Sequence, residues 1–369
     1  MTAADNSATK PPRLDALDVL RLIAVLAVAF YHFGFWGPPS HGTTSVALPG
    51  AAPFAMYGFL GVSIFFVISG FVIAYSAEGR TATGFAIARF ARIYPTFIVC
   101  MTLTAIAVFM FGAPHFEVTL KQWILNWFIA APSLGAPYID SAYWSLVVEI
   151  VFYAWVALFI ALGWFPRKID TIVLVWLALS MLNELTIDAV IVEKIFLADD
   201  SGFFATGLLI YEFYKGRRGA MLCGLFALSV GTATFQAVHK LGHLTHHAAS
   251  PAEEWTVAAI CLMGIAAVFI GSRMRRVPLP AGLTLAAGGI TYPLYLLHQQ
   301  LGYTMLNWIA PQNIALGVVG VLASIAFLSW AIWRYVEPPA QRVTKQVLGG
   351  MAARLGWPLK APSPSVAIV

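Results

Sequence analysis

The stretch LRLIAVLAVAFYHFGFW, residues 20–36, decides the fold class, because it is long and apolar enough to cross a lipid bilayer as one helix. Its two basic side chains are Arg21 and His32. Their spacing, at about 100° per helical residue, places both on one face about three turns apart. Ionisable side chains inside a membrane helix indicate a functional site.

The composition agrees with a membrane protein. Apolar residues make up 60% of the 369-residue chain and charged residues 11%, unlike the balance of a soluble domain. We predict an all-α integral membrane protein with one membrane domain, 14–338, between an N-terminal tail, 1–13, and a C-terminal tail, 339–369. The apolar runs predict about ten transmembrane helices, at 14–36, 54–77, 90–112, 142–163, 169–187, 201–215, 220–238, 254–271, 284–302 and 313–333.

The charges between these runs predict the topology. With the N-terminus inside, the outer segments hold only Lys121, Lys194 and Lys240 among the Lys and Arg residues, so both termini are predicted to be cytoplasmic. The net charge of +5 is therefore a topology signal and not evidence for nucleic acid. The segment TLKQWILNWFIAA, 119–131, is too short to span comfortably and predicts a re-entrant or interfacial helix on the outer side.

Depth in the bilayer predicts a catalytic pair. His32 falls near the outer end of the first helix, and Glu149 lies at a comparable depth in the fourth helix. Ser145, Glu149 and Tyr153 have i, i+4, i+8 spacing and share one stripe of that helix. We expect a hydrogen bond between Glu149 and His32, because a carboxylate on one ring nitrogen leaves the other free to take a proton.

A cation cluster is predicted at the cytoplasmic side. In RFARIYP, Arg89 and Arg92 stand at i and i+3, and two guanidinium groups on one face suit phosphates. Arg21 is a third cation near that side, one turn from Asp18. Ordinary positive flanking charges are the alternative explanation. The cluster beneath a buried His/Glu pair indicates a phosphate-bearing donor that reaches upward.

Five sequence pieces, in order, resemble the type-3 acyltransferase family, the integral membrane enzymes that O-acylate surface polysaccharides, O-antigens and some macrolides. The resemblance runs from about residue 15 to 338 and includes an arginine and a histidine separated by ten residues. Its pieces are LDVLRLIAVLAVAFYH, GFLGVSIFFVISGFVI, RFARIYP, YWSLVVEIVFY and ITYPLYLLH.

The resemblance implies a donor, an acceptor and a set of site residues. The donor is acyl-CoA, commonly acetyl-CoA, bound from the cytoplasm as a co-substrate, with no metal and no permanently bound cofactor. The acceptor is a lipid-linked or nascent polysaccharide at the outer side of a bacterial inner membrane, with membrane lipid and polysaccharide assembly proteins as further partners. His32 and Glu149 are the expected catalytic residues. Donor-binding candidates are Arg21, Arg89, Arg92 and Ser69. Secondary site candidates are Asp18, Trp144, Ser145, Tyr153, Tyr292 and His298.

Three points stay open from the sequence. Ser69 with Gly70 allows close approach of an acyl-pantetheine arm, or serves only helix packing. A transporter or flippase for a lipid-linked sugar is the alternative function, but it predicts repeated hydropathy in two halves and discontinuous helices, and the sequence indicates neither. His32 acts either as a general base or as a transient acyl carrier.

Overall fold

A computed structural model describes residues 13–37, 48, 50–245, 250–274, 277–310 and 312–359. The predicted N-terminal tail, apart from Arg13, and the last ten residues of the predicted C-terminal tail lie outside the described residues. The described part is helical and contains no strand. Its α-helices are α1 (Asp15–Tyr31), α2 (Ala52–Ala55), α3 (Leu60–Ala77), α4 (Ala82–Phe111), α5 (Leu120–Asn126), α6 (Trp144–Ala161), α7 (Ile169–Leu182), α8 (Val190–Phe196), α9 (Ser201–Tyr214), α10 (Ala220–Thr245), α11 (Pro251–Gly271), α12 (Ala281–Leu297), α13 (Gln300–Ile309), α14 (Ile314–Ala331) and α15 (Glu337–Arg354).

Every predicted apolar segment coincides with helix, which confirms the fold class. In the described part, eight helical stretches are long and apolar enough to cross a membrane: Asp15–Trp36, Ala52–Ala77, Ala82–Phe111, Ser141–Ala161, Ile169–Ile187, Ala220–Gly242, Glu253–Gly271 and Ile314–Arg354. The other two predicted spans correspond to α9 and α12, which are shorter. The count of ten and the cytoplasmic position of both termini therefore stay predictions. Helix α5 lies within 119–131, and its position relative to a membrane is also still a prediction.

The ninth predicted helix, 284–302, is two helices. Helix α12 ends at Leu297 and α13 begins at Gln300, so the prediction of one continuous helix over 284–302 is wrong. The buried carboxylate of Asp140 accepts a hydrogen bond from the backbone N–H of Gln300 at 2.8 Å. That bond satisfies a donor that the break leaves without a helical partner.

Two further boundaries differ from the predictions. Helix α4 begins at Ala82, eight residues before the predicted start, because the Thr81 side chain accepts a hydrogen bond from Gly84 N–H at 3.1 Å and caps the helix. The predicted C-terminal tail is helical as far as Arg354, and α15 packs against α4. Two prolines follow Glu337 at the start of α15, where a helix tolerates proline.

The centre of the molecule is the contact between α3 and α9. All residues of α9 from Ser201 to Phe213 are buried. Gly70 of α3 faces Gly207 of α9, and a Cβ on Gly207 would overlap the carbonyl oxygen of Val67. Glycines at both positions therefore let the two backbones touch, as small residues do between membrane helices. Gly70 thus serves helix packing.

The molecule has two apolar cores, and the α3–α9 contact belongs to the first of them. One core is built mainly from α3, α7, α9, α10 and α11, and the other mainly from α1, α4, α12, α13 and α14. Val62 and Tyr153 pack against both cores. A cavity lies where the cores meet, and α3, α4, α6 and α12 contribute most of its walls.

We predict that Gly207→Ala lowers the stability of the detergent-purified protein by about 1–3 kcal/mol, because the new methyl group forces α3 and α9 apart. Gly224→Ala is the matched control, since a Cβ on Gly224 of α10 meets no atom within 4 Å. It should leave stability unchanged or raise it by about 0.5–1 kcal/mol. Thermal unfolding of the variants tests this, and equal stability of the two would contradict the packing argument.

Candidate active site

The cavity between the two cores has a volume of about 580 Å³, within the usual range for small-molecule sites. Five of the six charged residues that line it are basic, although most of the chain is apolar. They come from α1, the turn before α4, α4 itself and α15, and they are Arg21, Arg80, Arg89, Arg92 and Lys345. Arg80 and Lys345 are solvent-exposed, whereas Ser145 and Tyr295 at the other end are buried. The cavity therefore runs from an exposed cationic end to a buried polar end.

Helix α4 places Arg89 and Arg92 one turn apart inside the helix, and both line the cavity. Arg92 forms an ion pair with the buried carboxylate of Glu337 at the start of α15. The side-chain amide of Gln341 donates to the same carboxylate at 2.7 Å. Arg21 pairs with Asp18 at 3.2 Å, while Asp18 also accepts from Arg13. Two of the basic residues are thus held by carboxylates outside the cavity.

Ser145, Glu149 and Tyr153 form one stripe of α6 along the cavity wall, as their spacing predicts. Glu149 accepts hydrogen bonds from Ser69 of α3, at 3.1 Å, and from the Tyr153 hydroxyl. Ser69 therefore faces the cavity and not only a neighbouring helix. At the buried end, the hydroxyls of Ser145 and Tyr295 are hydrogen-bonded at 2.7 Å.

His32 lies where α1 widens into a π-helical turn, His32–Trp36. The hydroxyl of Tyr303 donates its proton to the His32 carbonyl oxygen at 3.0 Å and lies 3.3 Å from His32 Nδ1. Because the proton of that hydroxyl is already used, its oxygen accepts from Nδ1–H. The arrangement therefore favours the tautomer in which Nε2 of His32 carries the lone pair. Gly37 makes this approach possible, since a Cβ there would overlap the Tyr303 ring.

His298 is the second imidazole beside His32. It is fully buried, and its ring centroid lies 5.1 Å from that of His32. Its Nδ1 is 2.7 Å from the carbonyl oxygen of Tyr295, which can only accept, so Nδ1 carries the proton. Its Nε2 is buried and has no hydrogen-bond partner in the described part of the chain. The break after α12 thus brings a lone pair of His298 into the neighbourhood of His32.

The structure does not form the predicted hydrogen bond between His32 and Glu149. Glu149 contacts Ser69 and Tyr153, whereas His32 contacts Tyr303 and His298. Matched depth was not sufficient, because α1 packs mainly against α3 and α12 while α6 packs mainly against α3 and α4. The Tyr295 ring, which lines the cavity, lies 5.5 Å from the His298 ring, so the imidazole pair is just beyond the buried end.

The predicted site residues therefore fall into two groups. The cavity wall holds Arg21, Ser69, Arg89, Arg92, Ser145, Glu149, Tyr153 and Tyr292. Outside the wall are Asp18, which pairs with Arg21, the two histidines, and Trp144, whose ring packs 6.3 Å from that of Phe66. Tyr292 donates its hydroxyl proton to the carbonyl oxygen of Ile93 at 3.0 Å.

Sequence reasoning missed several residues of this region, among them Arg80, Asp140, Tyr295, Tyr303, Glu337, Gln341 and Lys345. Arg80, Gln341 and Lys345 line the cavity. The i, i+4 spacing of Gln341 and Lys345 after a proline-marked helix start was a usable signal, but the segment was interpreted as a tail. Nothing in the sequence indicates that Tyr303 or Asp140 folds back onto His32 or onto the helix break.

The sequence is similar to a known protein family and to several known proteins. Residues 14–334 match a family described as an acyltransferase domain. The chain is 24% identical over 360 residues to nodulation protein 10 of Rhizobium leguminosarum bv. viciae, covering 88% of this chain and 93% of that protein. It is 26% identical over 328 residues to the exopolysaccharide production protein ExoZ of Rhizobium meliloti (strain 1021), covering 80% and 94%. A shorter match, 30% identical over 158 residues and 39% of each chain, is to the acyltransferase MdmB of Streptomyces mycarofaciens. No solved structure matches the chain.

Proposed function

Because the chain belongs to the acyltransferase family whose domain it matches over residues 14–334, we propose the following reaction for it. It is a multi-pass membrane O-acyltransferase. We propose that it moves an acyl group, in the first instance acetyl, from cytoplasmic acyl-CoA to a sugar hydroxyl of an exopolysaccharide or O-antigen at the outer side of a bacterial inner membrane. The observation that carries the proposal is a cationic cavity whose buried end lies beside the His32–His298 pair.

The cavity suits a donor with phosphates at one end and an acyl thioester at the other. Arginine guanidinium groups bind phosphate oxygens through paired hydrogen bonds, and Arg89 and Arg92 present two such groups one turn apart. Arg21 adds a third cation to the same wall. The acyl-pantetheine arm would pass Ser69 and Glu149 towards the buried end, where Ser145 and Tyr295 are the polar lining residues.

His32 would carry the proton transfer. As a general base, Nε2 takes the proton of the sugar hydroxyl while the oxygen of that hydroxyl bonds to the thioester carbon. The carbon–sulfur bond breaks, and the CoA thiolate takes the proton back from the imidazolium. In the alternative route, Nε2 attacks the thioester carbon and the carbon–sulfur bond breaks, which leaves an acyl-imidazolium and the CoA thiolate. The sugar oxygen then bonds to the acyl carbon, the carbon–nitrogen bond breaks, and the sugar proton passes to the CoA thiolate. Both routes need an unprotonated Nε2, which is the tautomer that Tyr303 favours.

Glu149 has a positioning role in this proposal. Its carboxylate holds the hydroxyls of Ser69 and Tyr153 at the middle of the cavity wall and does not contact His32. The residue that orients His32 is Tyr303. His298, with its unpartnered Nε2, would be a second proton acceptor beside His32.

The acceptor is proposed to approach from the side of the imidazole pair, as a lipid-linked or nascent polysaccharide. Trp144 at the start of α6 is 42% exposed and offers an aromatic face of the kind that suits sugars. The name of the exopolysaccharide production protein from Rhizobium meliloti, which aligns over 94% of its length, supports a polysaccharide acceptor. Membrane lipid and polysaccharide assembly proteins would be further partners.

The alternative function, a transporter or flippase for a lipid-linked sugar, would use the same cavity without transfer. One feature favours it: the α12–α13 break is a discontinuous helix of the kind that transporters use. The family and the name of one relative, an acyltransferase, favour the enzyme.

We predict that Tyr303→Phe lowers kcat about 10- to 100-fold, because it removes the hydroxyl that orients His32 and keeps the aromatic ring. KM for the donor should stay within about twofold of the wild-type value, since Tyr303 does not line the cavity. The measurement is steady-state acetyl transfer by the purified protein in nanodiscs.

Tyr31→Phe is the control for this variant. Tyr31 also lies against His32, with ring centroids 5.1 Å apart, and its buried hydroxyl has no hydrogen-bond partner in the described structure. Its removal should leave kcat unchanged. Equal loss of kcat in the two variants would contradict the orienting role of Tyr303.

We also predict that binding and transfer can be separated. His32→Ala should reduce transfer at least about 100-fold while CoA binds as tightly as to wild type. The double variant Arg89→Ala/Arg92→Ala should weaken CoA binding about tenfold or more, because two charge-assisted contacts are lost. Calorimetric titration with CoA and mass spectrometry of the acylated sugar provide the two readouts.

Matched controls lie outside the cavity. Arg342→Ala/Arg354→Ala removes the same charge from exposed positions of α15, and His239→Ala removes an exposed histidine of α10. Both should behave as wild type. Full transfer by His32→Ala, or unchanged CoA binding by the double arginine variant, would contradict the proposed site.

A further inference from the structure

The exposed end of the cavity has a cation pair of its own. Arg80 comes from the turn between α3 and α4, and Lys345 comes from the third turn of α15. The two residues are far apart in sequence but line one cavity. Both are solvent-exposed, whereas Arg89 and Arg92, within α4, are half-buried.

The charges of the cavity are not balanced by the protein. Among the described ion pairs, Arg21 and Arg92 have carboxylate partners, whereas Arg80, Arg89 and Lys345 have none. Glu149 is the only carboxylate among the lining residues, and it is already bonded to Ser69 and Tyr153. Like charges in a shared cavity repel one another, and a bound anion removes that cost.

Two further features agree with this excess of positive charge. Partial burial and the neighbouring guanidinium group of Arg89 lower the pKa of Arg80. The buried Nε of Arg89 has no hydrogen-bond partner in the described part of the chain. A buried donor without a partner costs free energy, so the site as it stands lacks an acceptor.

Helix α15 is fixed to α4 on both sides of Lys345. Before Lys345, Glu337 pairs with Arg92 and accepts from Gln341. After Lys345, the Thr81 hydroxyl donates to the carbonyl oxygen of Pro358 at 2.8 Å. The two anchors hold Lys345 at the cavity across from the α3–α4 turn, where Arg80 lies. The pair is therefore a built part of the site and not a chance surface contact.

We propose that Arg80 and Lys345 form a second anion subsite that binds a phosphate monoester, the 3′-phosphate of the CoA donor. The inference rests on the proposed function, which makes acyl-CoA the donor. In CoA, the 3′-phosphate lies at the nucleotide end, the diphosphate comes next and the pantetheine arm follows. That order matches the cavity, with Arg80 and Lys345 at the exposed end, Arg89 and Arg92 next, and the buried polar end last. A phosphate monoester carries nearly two negative charges at pH 7, which suits two cations without carboxylate partners.

The test compares CoA with 3′-dephospho-CoA, which lacks only this phosphate. Calorimetric titration of the wild-type protein in nanodiscs should give a Kd for CoA about tenfold lower than that for 3′-dephospho-CoA. Lys345→Ala should raise the Kd for CoA about tenfold and leave the Kd for 3′-dephospho-CoA unchanged. Arg80→Ala should have the same effect on both Kd values. Arg342→Ala, at an exposed position of α15, should change neither Kd value.

The outcomes separate this inference from the proposed function. Equal affinity of the wild type for the two nucleotides, or an equal loss for both in Lys345→Ala, overturns the subsite even if the enzyme transfers acetyl groups from acetyl-CoA. Absence of CoA binding to the wild type overturns both the acyl-CoA donor and the subsite. Preference for CoA that only Lys345→Ala and Arg80→Ala abolish supports the subsite independently of any transfer assay.

Discussion

The main constraint on this structure is electrostatic: several positive charges lie close together inside a largely apolar helical protein, and this costs free energy. Five basic residues line one cavity, and buried or half-buried carboxylates hold only two of them. Charged side chains at such positions are expensive unless they are paired, and here the protein leaves part of the pairing to a ligand. The same feature explains why α15, a polar helix, packs against α4: Glu337 supplies the carboxylate for Arg92 and brings Lys345 to the cavity.

The apolar frame makes this arrangement rigid. Close packing of α3 on α9 through Gly70 and Gly207 fixes the wall that carries Ser69. The π-helical turn at the end of α1 and the break between α12 and α13 interrupt helices on the other side of the cavity. Each interruption leaves backbone groups without a helical partner, and side chains form hydrogen bonds to them. The Tyr303 hydroxyl donates to the His32 carbonyl oxygen, and the Asp140 carboxylate accepts from Gln300 N–H. Irregular backbone thus places the two histidines together.

The sequence predicted the parts of this site that depend on local periodicity. Arg89 with Arg92, and Ser145 with Glu149 and Tyr153, share faces because helical spacing requires it. Contacts between distant segments were not predictable in this way. The predicted contact between His32 and Glu149 was based only on their similar depth in the bilayer, but the packing of the helices keeps the two side chains apart. The break at His298 depends on Asp140, 160 residues earlier than Gln300, and the polar start of α15 looked like a tail because its partner lies on α4.

The proposed function requires that the cationic cavity holds the acyl donor with its thioester directed towards His32. The most direct test is an electron cryomicroscopy structure of the protein with a non-transferable acyl-CoA analogue. In this analogue, a methylene group replaces the thioester sulfur. We predict nucleotide density between α4 and α15 and the acyl carbonyl beyond Ser145 and Tyr295, next to the His32 imidazole. Nucleotide density outside this cavity, or an acyl group directed away from His32, would contradict it.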